Sequence, residues 1–282
     1  MAETFWEQVR ANGLKVPDDR PLAELTSELT AMLGDPDPQS RDQLAYPTLA
    51  TWVGDGVYDD LLGGLGDGMV AGLSVGLGED GTDTVFRRSF SALVLAECIA
   101  RDNEQHLVNG DVVLGWGDGL AGWLVRERDL RGFVPGKGWA HAVAHGADAL
   151  GVLAGAEAVG RLELTVLLDV VADRLLASTD YHLVHGEPDR LALATMAVLR
   201  RDLLGLDVLE PWVARLGAAA APTPEQALDH SADRDPYRVT GNVQAYLRAL
   251  YLQLAVAPAP PTCRADLLLV LIDVLKRSNQ LV

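Results

Sequence analysis

A chain of 282 residues with a formal net charge of −17 repels phosphodiesters on average, so nucleic acid and anionic membrane surfaces are excluded as expected partners. Nearly half of the residues are apolar, enough for a sizeable core, yet no apolar run approaches the roughly 18–20 residues that span a bilayer. The acidic start, MAETFWEQVR, lacks the basic and apolar regions of a secretory signal, and Cys98 and Cys263 lie far apart without C-x-x-C spacing. A cytoplasmic protein with ordinary thiols and no disulfide framework is expected.

In chain order, Pro21 follows Asp18-Asp19-Arg20 at the first turn of a helix predicted to run to about Leu33, and Gly34-Asp35-Pro36-Asp37-Pro38 turns the chain into the next. From there the sequence repeats itself. Residues 37–50 align with 83–96, so that Asp37 matches Asp83, Arg41 matches Arg87, Ala45 matches Ser91 and Leu49 matches Leu95, a step of 46. Gly66-Asp67-Gly68 recurs as Gly117-Asp118-Gly119, a step of 51, and Arg190 recurs as Arg238, a step of 48. Self-similarity at this period, with two helices per unit, predicts an all-α, HEAT-like right-handed α-solenoid of about five helix pairs with a C-terminal capping helix. The whole chain is then one domain, with units at 1–54, 55–102, 103–155, 156–204 and 205–256 and a cap at 257–282. Inner helices are predicted at 38–53, 84–101, 137–154, 188–203 and 236–255, with a last helix at 262–279 after Pro258-Ala259-Pro260-Pro261. No strand is predicted, and Gly217 to Pro224 reads as a loop within the outer helix of the fifth unit. Asp37/Arg41, Asp83/Arg87 and Asp235/Arg238 read as acid and arginine pairs at helix starts that tie repeats together.

The third unit departs from the pattern. A longer loop, Arg128 to Gly138, precedes Trp139-Ala140-His141-Ala142-Val143-Ala144-His145-Gly146-Ala147-Asp148. On a helix, His141, His145 and Asp148 share one face, among small Ala and Gly neighbours.

The runs DLRGFVPGKGWAHAVAHGADAL, GTDTVFRRSFSALVLA and RDQLAYPTLATW resemble the bacterial family catalogued as domain of unknown function 2785. The resemblance extends over most of the chain. It implies a helical protein and supplies no activity to carry over residue by residue.

Three readings of the His141/His145/Asp148 face stay open. Imidazoles at i and i+4 with a carboxylate can hold a divalent metal such as zinc, although the glutamate of the H-E-x-x-H motif is absent. Alternatively, one histidine acts as general acid or base on a small anionic metabolite, with Arg131 and Lys137 binding the anion beside the helix N-terminus. In the third, both histidines hydrogen-bond between helices and Asp148 fixes a tautomer or pairs with an arginine. The equivalent loop of the fourth unit carries Tyr181, His182 and His185, which are either solvated loop residues or, with Arg131, Lys137 and Trp139, part of one rim site. Trp52, Trp116, Trp123 and Trp212 lie at helical spacing among leucines and are predicted to be core.

No phosphate loop, no dinucleotide fingerprint after a strand and no G-x-S-x-G elbow is present. Ser89 and Ser91 have no histidine nearby in sequence and read as packing residues. The expectation is a binding module that holds a small molecule or peptide on a concave face or loop rim, where a protein partner can also dock, with no cofactor. The alternative is an acid/base enzyme using His141, His145 and Asp148.

Overall fold

The structure, a computed structural model, describes residues 5–221, 235 and 237–278. It is mostly helical and divides into two compact units, Met1–Ala149 and Leu150–Val282.

The first unit contains α1 (Phe5–Ala11), α2 (Leu22–Met32), a short turn α3 (Pro38–Ser40), α4 (Tyr46–Gly54), α5 (Leu62–Gly72), α6 (Thr84–Gln105), α7 (Gly110–Arg126) and the start of α8 (Ala142–Leu153). Leu25, Leu29, Leu49, Trp52, Phe86, Leu95, Trp116 and Trp123 are all buried, each contributing about 1.5–3 kcal/mol in removing apolar surface from water. Trp52, Trp116 and Trp123 are therefore core, as the leucine-rich spacing predicts. The recurring Gly-Asp-Gly is a helix-packing device. A Cβ at Gly66 would overlap the Trp116 indole, one residue before Asp67, whose carboxylate accepts the indole N–H at 2.9 Å. In the second copy a Cβ at Gly119 would lie 2.6 Å from Val70 Cγ1, so α5 and α7 approach closely at both motifs.

Pro47 has no N–H to donate, and the turn before it widens into a π-helical turn, Arg41–Ala45, in which the Tyr46 N–H reaches Arg41 O. That turn buries Arg41 completely. Its guanidinium lies over Phe86 and Phe90 at 4.0 and 4.9 Å and donates to Asp35 O and Lys137 O, both at 2.7 Å.

The second unit holds the rest of α8, then α9 (Arg161–Leu176), α10 (Glu187–Leu199), α11 (Leu206–Ala219), α12 (Tyr237–Val256) and α13 (Arg264–Ser278). Trp212 is buried as predicted and donates to Leu168 O at 2.9 Å. Thr195 Oγ1 and the buried Tyr246 hydroxyl pair at 2.6 Å between α10 and α12.

Four local expectations are corrected. A two-stranded hairpin, β1 (Phe133–Val134) with β2 (Gly138–Trp139), stands where no strand is predicted. Pro135-Gly136 turns it, with Gly136 at φ 76° and the Lys137 N–H donating to Val134 O at 3.0 Å, the pattern of a type II turn. The helix predicted from 137 consequently starts at Ala142, leaving His141 outside it. In the fifth unit α11 continues through Gly217 to Ala219, because a Cβ at Gly217 would lie 2.6 Å from Val274 of α13; this glycine serves close packing, and Pro222 to Pro224 lie outside the described residues. Finally, the acid and arginine pairs mostly take other partners. Asp37 caps the Gln39 N–H, Arg41 pairs with Asp42, and Asp83 pairs with Lys137, whereas Arg238 does reach an earlier acid, Asp180, at 2.8 Å.

Candidate functional site

The hairpin, the start of α8 and α6 bring five rings into line inside the first unit. Phe133 faces Trp139 across the two strands at 5.1 Å, and Trp139 stacks on His141 at 4.3 Å with 26° between the planes. His141 meets His145 edge-on at 5.8 Å, and His145 meets Phe90 of α6 edge-on at 5.1 Å. The row descends from surface to core: Phe133 and Trp139 are 49% and 41% exposed, His145 is 7% exposed and Phe90 is 4% exposed.

His141 holds the corner with a left-handed backbone, φ 50°, a conformation in which a non-glycine residue is uncommon. Its N–H donates to Arg131 O at 3.0 Å, and its carbonyl accepts the His145 N–H at 2.9 Å. The hairpin thus closes onto the first turn of α8. His141 and His145 are brought together, although not as two residues of one helix face; Asp148 lies further along α8 and is half-buried.

Ser89 decides what His145 can do. Its Oγ contacts both Ala140 O and His145 Nδ1, the latter at 2.7 Å. A carbonyl only accepts, so the single hydroxyl proton goes to Ala140, and His145 Nδ1 must carry the proton it donates to Ser89. Neutral His145 then has its lone pair on Nε2. Nδ1 is not available to activate Ser89 as a nucleophile, and the serine that sequence reads as packing is the hydrogen-bond partner of a histidine 56 residues away.

Two cations of the loop, Arg131 and Lys137, are engaged inside the unit. Arg131 is held by Asp129 through Nε–Oδ1 at 2.8 Å and Nη2–Oδ2 at 2.6 Å, and also donates to Thr82 O. Asp129 is fully buried and also accepts the Gly81 N–H. Lys137 Nζ sits 2.6 Å from Asp83, which explains why Asp83, at the start of α6, makes no side-chain cap. Just upstream, Glu127 and Arg88 form a fully buried bidentate pair at 2.5 and 2.9 Å. Trp123 Nε1 and the amides of Arg128 and Asp129 complete the Glu127 carboxylate, while Arg88 also donates to Val75 O and Gly76 O. Glu127 and Arg88 have no signature in the sequence, because they lie 39 residues apart.

Tyr181, His182 and His185 belong to the second unit. There Tyr181 O accepts from Asn242 at 3.0 Å, His182 is exposed with Asp235 at 3.6 Å, and His185 lies 3.9 Å from the buried Glu187 carboxylate. Among the described residues no group of three or more His, Cys, Asp or Glu side chains is placed to hold a metal ion, so the metal alternative for His141, His145 and Asp148 gains no support from the donor geometry. No disulfide joins Cys98 and Cys263, and burial raises both thiols above their ordinary range. Among the described residues no helix is long and apolar enough to cross a membrane.

The family described as "Protein of unknown function (DUF2785)" matches residues 73–252, which include α6, the hairpin and the first turns of α8. The chain belongs to that family. No curated protein and no solved structure matches it. The matched segment takes in Ser89, Glu127, Asp129, His141 and His145 but stops short of α2 and α5.

Proposed function

We propose that this DUF2785 protein is a binding module built from HEAT-like helix pairs, which holds a small molecule or peptide against the exposed Phe133–Trp139 pair on the rim of its first unit. One observation carries the reading. The groups a catalyst would use are engaged within the chain, Arg131 by Asp129, Lys137 by Asp83 and His145 by Ser89, while the two aromatic rings beside them face solvent. Aromatic rings on a rigid hairpin offer large contact area at low entropic cost. The acidic surface favours neutral or basic partners.

Support for repeats comes from hydrogen bonds that join elements one period apart within each unit. In the first, Tyr46 bonds Glu97 and Trp116 bonds Asp67, 51 and 49 residues apart; in the second, Thr195 bonds Tyr246 and Arg161 bonds Asp207, 51 and 46 apart.

Metal analysis and native mass spectrometry of gently purified full-length protein test the function. A small molecule or peptide that co-purifies with the wild type and is lost in a folded Trp139→Ala variant supports the binding module. Stoichiometric metal, or turnover of a metabolite panel, that disappears in a folded His141→Ala, His145→Ala double variant moves the assignment to the enzyme.

A further inference from the structure

Elsewhere in the first unit, Arg87 is a half-buried cation that the fold leaves without an acidic partner among the described residues. Arg87 leaves α6 between two glycines: its Cβ would lie 3.2 Å from a Cβ at Gly34, and its Nε 3.1 Å from a Cβ at Gly72. Side chains at either position would crowd its path. Arg87 is half-buried, yet among the described residues no carboxylate or carbonyl is in hydrogen-bond reach of its guanidinium. Its neighbours behave differently. Arg41, Arg88, Arg101 and Arg131 each have an acidic partner within 3 Å. Burial lowers the Arg87 pKa with no opposing acid to raise it.

Arg87 lines one end of a groove between α2 and the α5 region. That end has a volume of about 760 Å³ and is also lined by Ser27, Thr30, Gly34, Asp35 and Val75. Ser27 and Thr30 line the adjoining stretch as well, about 390 Å³, whose other walls are chiefly apolar: Leu22, Leu61, Leu65 and Met69. The two stretches share those residues and follow α2 from Leu22 to Met32, about 16 Å at 1.5 Å per residue. Gly64 and Gly68 of α5 leave this wall open, since a Cβ at either would meet nothing within 4 Å. Tyr58, which donates to or accepts from Thr26 at 2.8 Å, closes the far wall, and Leu61 on the rim is 56% exposed. Asp35 does not neutralise the cationic end: its Oδ1 accepts the Asp37 N–H at 2.9 Å, and no ion pair with Arg87 forms.

From this pairing of an apolar trough with an unmatched guanidinium, we propose that the α2–α5 groove binds a small amphiphile, with its apolar body along Leu22, Leu61, Leu65 and Met69 and one anionic head group, carboxylate or phosphate, on Arg87. A guanidinium donates a planar pair of N–H groups to either head group. The apolar part supplies the affinity that a single charge in an acidic protein lacks. The site is separate from the Phe133–Trp139 rim, and its fate does not decide that of the rim.

Isothermal titration of the full chain with decanoate, decyl phosphate, decanol and inorganic phosphate tests it, on the wild type and on Arg87→Met and Gly68→Leu, each first shown to fold by thermal melting. Decanoate and decyl phosphate are expected to bind at least tenfold more tightly than decanol or inorganic phosphate. Whichever of the two is tighter identifies the head group. Arg87→Met should bring both down to the level of decanol, and Gly68→Leu, which places a side chain in the trough while sparing Arg87, should weaken all three alkyl probes at least tenfold. The proposal is overturned if decanol matches the anions, if inorganic phosphate alone binds as tightly as decyl phosphate, if either variant binds like the wild type, or if no probe binds.

Discussion

Two regions of the first unit treat charge in opposite ways. At the hairpin corner Arg131, Lys137, Arg88 and His145 each meet a partner from within the chain, and the exposed surface is aromatic. In the α2–α5 groove Arg87 is half-buried with no such partner, beside an apolar trough. A satisfied buried charge fixes conformation, whereas a half-buried one left to solvent stays available to a partner from outside the chain. Polar residues gathered in the sequence therefore point to the corner, and partners missing from the structure point to the groove.

The contrast breaks most readily at Glu127. Glu127→Ala leaves Arg88 buried without its carboxylate and should cost about 3–5 kcal/mol in urea unfolding, whereas Arg87→Met should stay within about 0.5 kcal/mol. Equal losses in the two variants would remove the distinction. Next in size is Gly66→Ala, whose Cβ overlaps the Trp116 indole; about 1–3 kcal/mol is expected by the same measurement. Ser89→Ala removes the partner of His145 Nδ1 and of Ala140 O, and about 1–2 kcal/mol should be lost, with Ser89→Thr recovering part of it. Trp139→Ala, at a half-exposed ring, should change stability by less than about 1 kcal/mol while removing any ligand that co-purifies.

The smallest effect is with pH. The hydrogen bond from Arg101 lowers the Asp59 pKa, and that from Arg20 lowers the Glu28 pKa, both below the ordinary carboxylate range. A depressed folded-state pKa contributes stability that is present above the unfolded pKa and lost as pH falls through the folded one. The melting temperature should therefore decline below about pH 4, and less steeply in Arg101→Met, where Asp59 has lost the partner that lowers its pKa; the effect is small because these pairs are exposed and screened.

Helix positions were legible where apolar periodicity and punctuation agreed. The helix predicted from Pro21 to Leu33 is α2, and the inner helices predicted at 84–101, 188–203 and 236–255 correspond to α6, α10 and α12 within a few residues. The hairpin was missed although Pro135-Gly136 carries a turn signal, because strands of two residues have no alternation to read. That miss displaced His141 from helix to corner and changed the geometry of the histidine pair. The proximity of His141 and His145 was legible from four-residue spacing, and the burial of Trp52, Trp116, Trp123 and Trp212 from their leucine-rich context. Ser89 and Glu127 were not legible, since what gives them a role is a partner 56 or 39 residues away. Arg87 was misleading for the same reason. Its register with Arg41 suggested an equivalent partner, but Arg41 is fully buried over Phe86 and Phe90, while Arg87 passes between two glycines toward the groove.

The tautomer of His145 separates a histidine that donates to Ser89 from one that activates it most directly. Long-range ¹⁵N NMR of the folded protein near pH 7 should show His145 protonated on Nδ1 with the lone pair on Nε2, as required when Ser89 gives its proton to Ala140 O. A lone pair on Nδ1, facing Ser89, would make the two a nucleophile and its base and would contradict the claim that Ser89 engages His145.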